Sequence, residues 1–211
     1  MEAVGYWALR FQNKEDKIMS GTYPIKNKNT LEKFKNYYVN IHPNCRNYAM
    51  IVIGLNTAFR ISDLLAMRWR DVWDNDMNCL RSHICLEEHK TGKKRTVPIN
   101  KSAQRVLLAY RDSSDRTAPD NYLFPSMRNK ALPLSRYQAY RIIKTAASAC
   151  GLYEHISCHS LRKTFGYHAW KQGTPPAMLM ELYNHSSYGI TKRYLGIEQD
   201  EKDSVYMKID L

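Results

Sequence analysis

Residues 82–99 read SHICLEEHKTGKKRTVPI. Ile84 and Leu86 alternate with polar neighbours in the first part, and Val97 and Ile99 do so in the last. A period of two marks strands with one buried face. Thr91-Gly92-Lys93 between them supplies the glycine that a tight reversal favours. The stretch predicts one antiparallel hairpin. The flanking chain is dominated by helical patterns, so the expected fold class is mainly α with a small antiparallel β-sheet (α+β).

Working outward, residues 46–55 predict a helix whose second half is nearly all apolar (Ala49-Met50-Ile51-Val52-Ile53), which implies burial there. Upstream, Asn29-Thr30 can cap a helix with Leu31, Phe34, Tyr37 and Tyr38 on one face. A short helix is expected over 62–67, and a turn with a short strand over 71–78. Helical spacing returns over 101–111 through Val106, Leu107 and Tyr110, followed by a loop-rich stretch over 119–133. Ser135 caps a helix running to about Cys150, and another spans 160–171, closed by Gly173 and reset by Pro175-Pro176. Short helices at 177–183 and 187–195 lead into a polar helix or tail. Residues 1–28 read as a basic N-terminal arm, and 197–211 as a separate C-terminal segment.

The chain has 211 residues, with 32 Lys+Arg against 20 Asp+Glu, for a net charge of +12. An excess of that size in a compact protein points to a polyanionic partner, with nucleic acid the first candidate. The five cysteines, Cys45, Cys79, Cys85, Cys150 and Cys158, form no C-x-x-C pair. They read as small core residues in a reducing compartment, and the histidines do not fall at zinc-ligand spacing beside them, so no metal is expected. No secretory signal and no membrane-length apolar run is visible, which makes the cytoplasm the expected location.

Certain residues carry phosphate chemistry. Arg60, between Phe59 and Ile61, sits where one helix ends and another begins. A guanidinium fork suits a phosphate, while Asp63 three residues later could instead hold it in an internal ion pair. His159 and Arg162 form an H-x-x-R at a helix start, on one face; alone they read as a capping histidine and a solvated arginine, and beside Arg60 as a second arginine bracketing one phosphate. His185 lies between two short helices, able to donate to an oxyanion or to cap. Tyr194 follows Lys192-Arg193, whose charges favour a phenolate and a nearby phosphate. Lys90 opens the hairpin loop, with Lys93, Lys94 and Arg95 behind it. The loop is either a basic turn gripping backbone phosphates or an arm that carries an acid to a leaving oxygen.

Together the words FRISDLLAMRWRDV (59–72), HKTGKKRTVPI (89–99), NYLFP (121–125), HSLRKTF (159–165) and NHSSYGITKRY (184–194) resemble the tyrosine recombinase (phage integrase) family, specifically its catalytic domain. The match covers roughly residues 30–195, and the catalytic domain is expected over 29–196. By that resemblance Tyr194 is the nucleophile that forms a 3′-phosphotyrosyl link. Arg60, Arg162 and His185 stabilise the phosphorane, Lys90 is the general acid, His159 is a base or phosphate contact, and Asp63 supports Arg60. Lys93, Lys94, Arg95, Lys163, Lys192 and Arg193 are expected DNA contacts. No cofactor and no metal are implied, because the cations do the electrostatic work and the covalent link conserves bond energy.

The sequence departs from the family at Ala58 and Asn184, where glycine is frequent, and at Lys163, where a second histidine is frequent. Asn184 tolerates the left-handed turn glycine would make. Relatives commonly carry a DNA-gripping domain ahead of the catalytic one. The chain is therefore either a catalytic-domain-only recombinase or a fragment, and Met1 favours a complete chain. The implied function is site-specific recombination of double-stranded DNA, by a homo-tetramer assembled on DNA from protomers that can be monomers in solution. The C-terminal segment 197–211 is either an inter-subunit arm or a helix packed on its own domain. The alternatives are a type IB topoisomerase-like activity, a non-catalytic DNA-binding regulator, and, remotely, a phosphotyrosine-using ester hydrolase.

Overall fold

The computed structural model describes residues 21–209. Residues 1–20 of the expected N-terminal arm lie outside the described residues. Residues 21–27 are not a free arm: Ile25 is buried, its N–H donates to Thr164 Oγ1 at 2.9 Å, and Tyr23 N–H donates to the His155 carbonyl at 3.1 Å.

Helix α1 (Lys28–Asn40) is capped two residues earlier than expected, by Asn27, whose side chain accepts the Thr30 N–H. It buries Phe34, Tyr37 and Tyr38 on one face. Helix α2 (Cys45–Thr57), capped by Asn44, is the central rod, with Ala49 to Leu55 buried without interruption. Each large side chain hidden there stabilises by about 1.5–3 kcal/mol. The short α3 (Ile61–Ala66) and α4 (Trp69–Val72) follow, then the β1–β2 pair (Trp73–Asp74 with Cys79–Leu80) and the β3–β4 hairpin (His83–Glu87 with Lys94–Pro98). These are two separate two-stranded sheets, where the sequence predicted one. The β3–β4 register sets Ile84 opposite Val97 and Leu86 opposite Arg95.

Helices α5 (Lys101–Asp112) and α6 (Arg136–Ala149) close the main core. Ser135 caps α6 as expected, with Gln138 returning a bond to the Ser135 N–H. Helix α7 (Cys158–Lys171) crosses α2 closely: a Cβ on Gly54 would come within 2.7 Å of Leu161 Cδ1. Then come α8 (Pro176–Tyr183), α9 (Tyr188–Leu195) and α10 (Glu198–Tyr206). A second apolar cluster of Ala58, Tyr167, Tyr183, Leu195 and Ile197 joins α7, α8 and α9 to the end of α2. That cluster positions the site.

The cysteines divide, and only Cys150 and Cys158 pack against the core. Cys45, Cys79 and Cys85 are exposed, Cys150 and Cys158 are half-buried, and all are free thiols. Among the described residues, no helix is long and apolar enough to cross a membrane.

Candidate active site

Ala58 is the hinge between α2 and the site. Its backbone is left-handed (φ 52°, ψ 26°), which turns its carbonyl toward α7. That carbonyl accepts from Arg162 Nη1 and, at 3.4 Å, from Arg95 Nη1. Arg162 Nη2 donates to the Leu182 carbonyl at 3.4 Å, and the guanidinium lies 4.6 Å over the Tyr183 ring. Arg162 is almost fully buried. Its fork is fixed by two carbonyls and one aromatic face, which leaves its remaining N–H groups for an anion.

Arg60 caps α3 and meets Glu88, with Nη1 2.6 Å from Oε2. Nη1 is buried without an aligned hydrogen-bond acceptor, so the contact is one of charge. The expected Arg60–Asp63 pair is not formed. Asp63 instead accepts the His89 N–H at 3.0 Å through Oδ1. Glu88, which the sequence reading passed over, collects Arg60, Arg95 and the Thr91 hydroxyl. Burial pushes its carboxyl up, but Thr91, Arg60 and Arg95 outweigh this and hold it below the ordinary carboxylate value. The signal was present: Ile84, Leu86 and Glu88 share one parity, and the first two face inward.

His185 follows Asn184, whose left-handed backbone (φ 54°, ψ 48°) ends α8 as asparagine allows. His185 Nδ1 meets Thr191 Oγ1 at 3.1 Å, which directs Nε2 away from α9. The His185 ring lies 5.2 Å from the Tyr194 ring. Tyr194 also packs on Tyr183, and Lys163 Nζ stands 5.0 Å over its face. Burial raises the Tyr194 phenol above its ordinary value, opposed by the Arg162 guanidinium and by the charge of Arg60. Burial and the charges of Arg162 and Arg60 lower His185. Burial, Lys163, Arg162, Arg136 and Arg60 lower His159. Arg60 and Arg162 thus act on the same three rings, although about a hundred residues separate them.

The expected DNA contacts divide. Lys94 and Arg193 are exposed, and so is Lys90 at the hairpin turn. Lys93 Nζ donates to Asn184 Oδ1 at 2.8 Å, which links the hairpin to the His185 loop. Arg95, Lys163 and Lys192 meet partners within the chain. Arg95 binds Glu88 and the Thr57 carbonyl, Lys163 donates to the Thr22 carbonyl at 2.6 Å, and Lys192 pairs with Glu201 at 3.0 Å. Arg95 sits at an inward position of β4, and the other two carry their charge back over α7 and α9.

The arrangement is a set of cationic side chains beside one half-buried phenol, chemistry suited to a phosphodiester. The phage integrase family profile matches residues 27–201. The chain belongs to the phage integrase family. A probable integrase/recombinase from Bacillus subtilis is 40% identical over 183 residues, covering 87% of this chain and 94% of that protein. Tyrosine recombinase XerC of Pelobacter propionicus is 28% identical over 77% of this chain and 51% of its own length. The chain therefore spans nearly all of the first relative but about half of the second. The XerA recombinase structure superposes with a TM-score of 0.69 at 21% identity, over 90% of this chain and 65% of that one. XerH bound to its difH substrate after cleavage gives 0.64 at 20% identity, over 87% and 52%. This phage integrase family member is a tyrosine recombinase, and its reaction class is DNA strand cleavage and rejoining.

Proposed function

We propose that this chain performs site-specific recombination on double-stranded DNA, with Tyr194 as nucleophile. The Tyr194 oxygen attacks phosphorus and the P–O5′ bond breaks, which leaves a 3′-phosphotyrosyl link. Arg60, Arg162 and His185 take the charge that builds on the non-bridging oxygens. His159, kept neutral by its surroundings, accepts the phenol proton. Lys90 gives its proton to the departing 5′ oxygen, and attack by a 5′-hydroxyl on the link reverses each step. Asp63 supports the site through the His89 backbone. Lys93, Lys94 and Arg193 hold backbone phosphates, with Arg95, Lys163 and Lys192 contributing charge from behind. Such contacts make affinity fall steeply with salt.

The observation that carries this reading is the grouping of Tyr194 against Tyr183 and His185, with the Arg162 guanidinium 4.6 Å over the same Tyr183 ring. A duplex carrying the cognate site, nicked so that rejoining is blocked, is expected to trap a covalent adduct with the wild-type chain and none with Tyr194→Phe. An undiminished adduct in that variant removes Tyr194 from its role. Relatives named as integrases and recombinases favour strand exchange over relaxation or binding alone.

We read residues 29–196 as the catalytic unit, acting in the cytoplasm where the DNA lies. Within the segment 197–211, Ile197 is buried in the chain's own second apolar cluster, and the part beyond it serves as an arm between protomers of a DNA-bound tetramer. In its support, α10 has no buried residue, and Val205, Tyr206, Met207 and Ile209 are exposed. In the isolated chain the helix is held by Glu201 to Tyr188 and Lys192, and by Asp200 to Lys26. These are surface polar contacts worth about 1 kcal/mol or less each, and a neighbour could replace them.

A further inference from the structure

Lys90 has to arrive at one oxygen atom, yet it lies on an exposed turn. The turn itself is closed by its own backbone. Glu88 N–H donates to the Lys93 carbonyl at 3.0 Å, and the Glu88 carbonyl accepts from Thr91 at 3.2 Å and Gly92 at 2.8 Å. What fixes this unit relative to the phosphate site is a set of side-chain ties to α3. Glu88 Oε2 touches Arg60 Nη1 at 2.6 Å and accepts the Thr91 hydroxyl at 2.7 Å. Asp63 Oδ1 accepts the His89 N–H at 3.0 Å. The residues on either side of Lys90 are therefore tied to the same short helix whose cap, Arg60, holds the phosphate.

We propose that Glu88 is a positioning residue for the general acid: by joining Arg60 to Thr91 it sets Lys90 against the leaving oxygen of the phosphate that Arg60 binds. The inference rests on the recombination reading above. Glu88 touches no reacting atom. It acts through the hairpin, and its removal leaves the nucleophile and Arg162 in place.

A leaving group that needs no proton separates this role from a general structural one. Replacing the bridging 5′ oxygen with sulfur gives a thiolate that departs unprotonated. Single-turnover adduct formation is measured on nicked cognate DNA with oxygen or sulfur at that position. Lys90→Ala is expected to lose at least about a hundredfold with oxygen and to regain wild-type rate with sulfur. Glu88→Gln is expected to lose about tenfold or more with oxygen and to recover with sulfur, whereas Arg60→Ala recovers on neither. Thr91→Val, which removes only a partially exposed hydroxyl, gives a smaller loss with the same recovery and serves if Glu88→Gln fails to fold. Full activity of Glu88→Gln on oxygen, or a defect that sulfur leaves unchanged in both variants, overturns the proposal. Absence of adduct from the wild-type chain on both substrates overturns the recombination reading itself.

Discussion

The Arg162 guanidinium lies 4.6 Å over the ring of Tyr183, and the Tyr183 hydroxyl donates back to the Arg162 carbonyl at 2.7 Å. One buried tyrosine thus holds both ends of the residue we propose for the phosphate. Burial raises the Tyr183 phenol well above its ordinary range, so it stays a donor at any working pH. Tyr183→Phe should keep the ring and lose the bond, costing about 1 kcal/mol in urea unfolding. Gly166→Ala should cost more, about 1–3 kcal/mol, because its methyl would strike the Tyr183 hydroxyl and come within 2.5 Å of Leu195 Cδ2. If Gly166→Ala proves as stable as wild type, the packing of α7 against α8 and α9 is looser than described.

Ala58 lies at φ 52° with its methyl fully buried. Glycine there relieves a left-handed strain of roughly 1–2 kcal/mol but gives up a buried methyl worth about 0.8 kcal/mol and adds backbone freedom to the unfolded chain. Ala58→Gly should therefore sit within about 1 kcal/mol of wild type. A β-branched side chain cannot take this backbone cheaply. Ala58→Val should destabilise by about 2 kcal/mol or more and lower adduct formation, since the displaced carbonyl serves both Arg162 and Arg95. Calorimetry and adduct yield check the pair, and equal behaviour of the two variants would contradict it.

Stability should fall on acidification in two windows. Burial first, with neighbouring cations, depresses His159 and His185 below 6.5 in the folded chain. The unfolded chain then takes up protons first, so this contribution is complete above about pH 6.5 and declines below it toward the folded values. Glu88 is depressed below 4.5, and its contribution is lost in turn as the pH drops beneath that value. Tyr194 is raised, which adds a loss above about pH 10. Burial also raises the Cys158 and Cys150 thiols above 9.0, so urea midpoints across the range should show a plateau only between about pH 7 and 9. A midpoint that rises as pH falls from about 7 to 5 would contradict these assignments.

Lys90 and Lys93 lie on the same turn but should not behave alike. Lys93 is engaged by Asn184, and Lys90 carries the proton in our reading. Lys93→Ala should change the adduct rate by less than about fivefold, while Lys90→Ala should lower it by about 10²–10⁴. Single-turnover rates on nicked cognate DNA make the comparison. The reverse ranking would move the general acid to Lys93.

Much of this was legible in the chain. Period-two alternation located β3 and β4, and the continuous apolar run placed α2 at the centre. Ser135 capped its helix as read. Asn184 took the left-handed turn its chemistry permits. The errors came where local reading met a partner from far along the chain. Arg95 was read as a DNA contact from its basic neighbours, yet the hairpin register puts it opposite Leu86 on the inward side. Asp63 was assigned to Arg60 by proximity in sequence, but Arg60 meets Glu88 from the hairpin instead. Local words name side chains, and only the register and the helix crossings decide which of them meet.

The sequence by itself determined the residue types of the site, their order, the family and the alternation of helix with hairpin. The alternation follows from the periods of strand and helix, which act over a few residues, and the family was read from the resemblance of the sequence words. The tertiary structure alone decided that Glu88 bridges Arg60 and Arg95, that the Ala58 carbonyl receives Arg162, and that Lys163 turns back over Tyr194. A buried charge must find an opposite charge or a carbonyl wherever the packing places one, and that place depends on the whole fold.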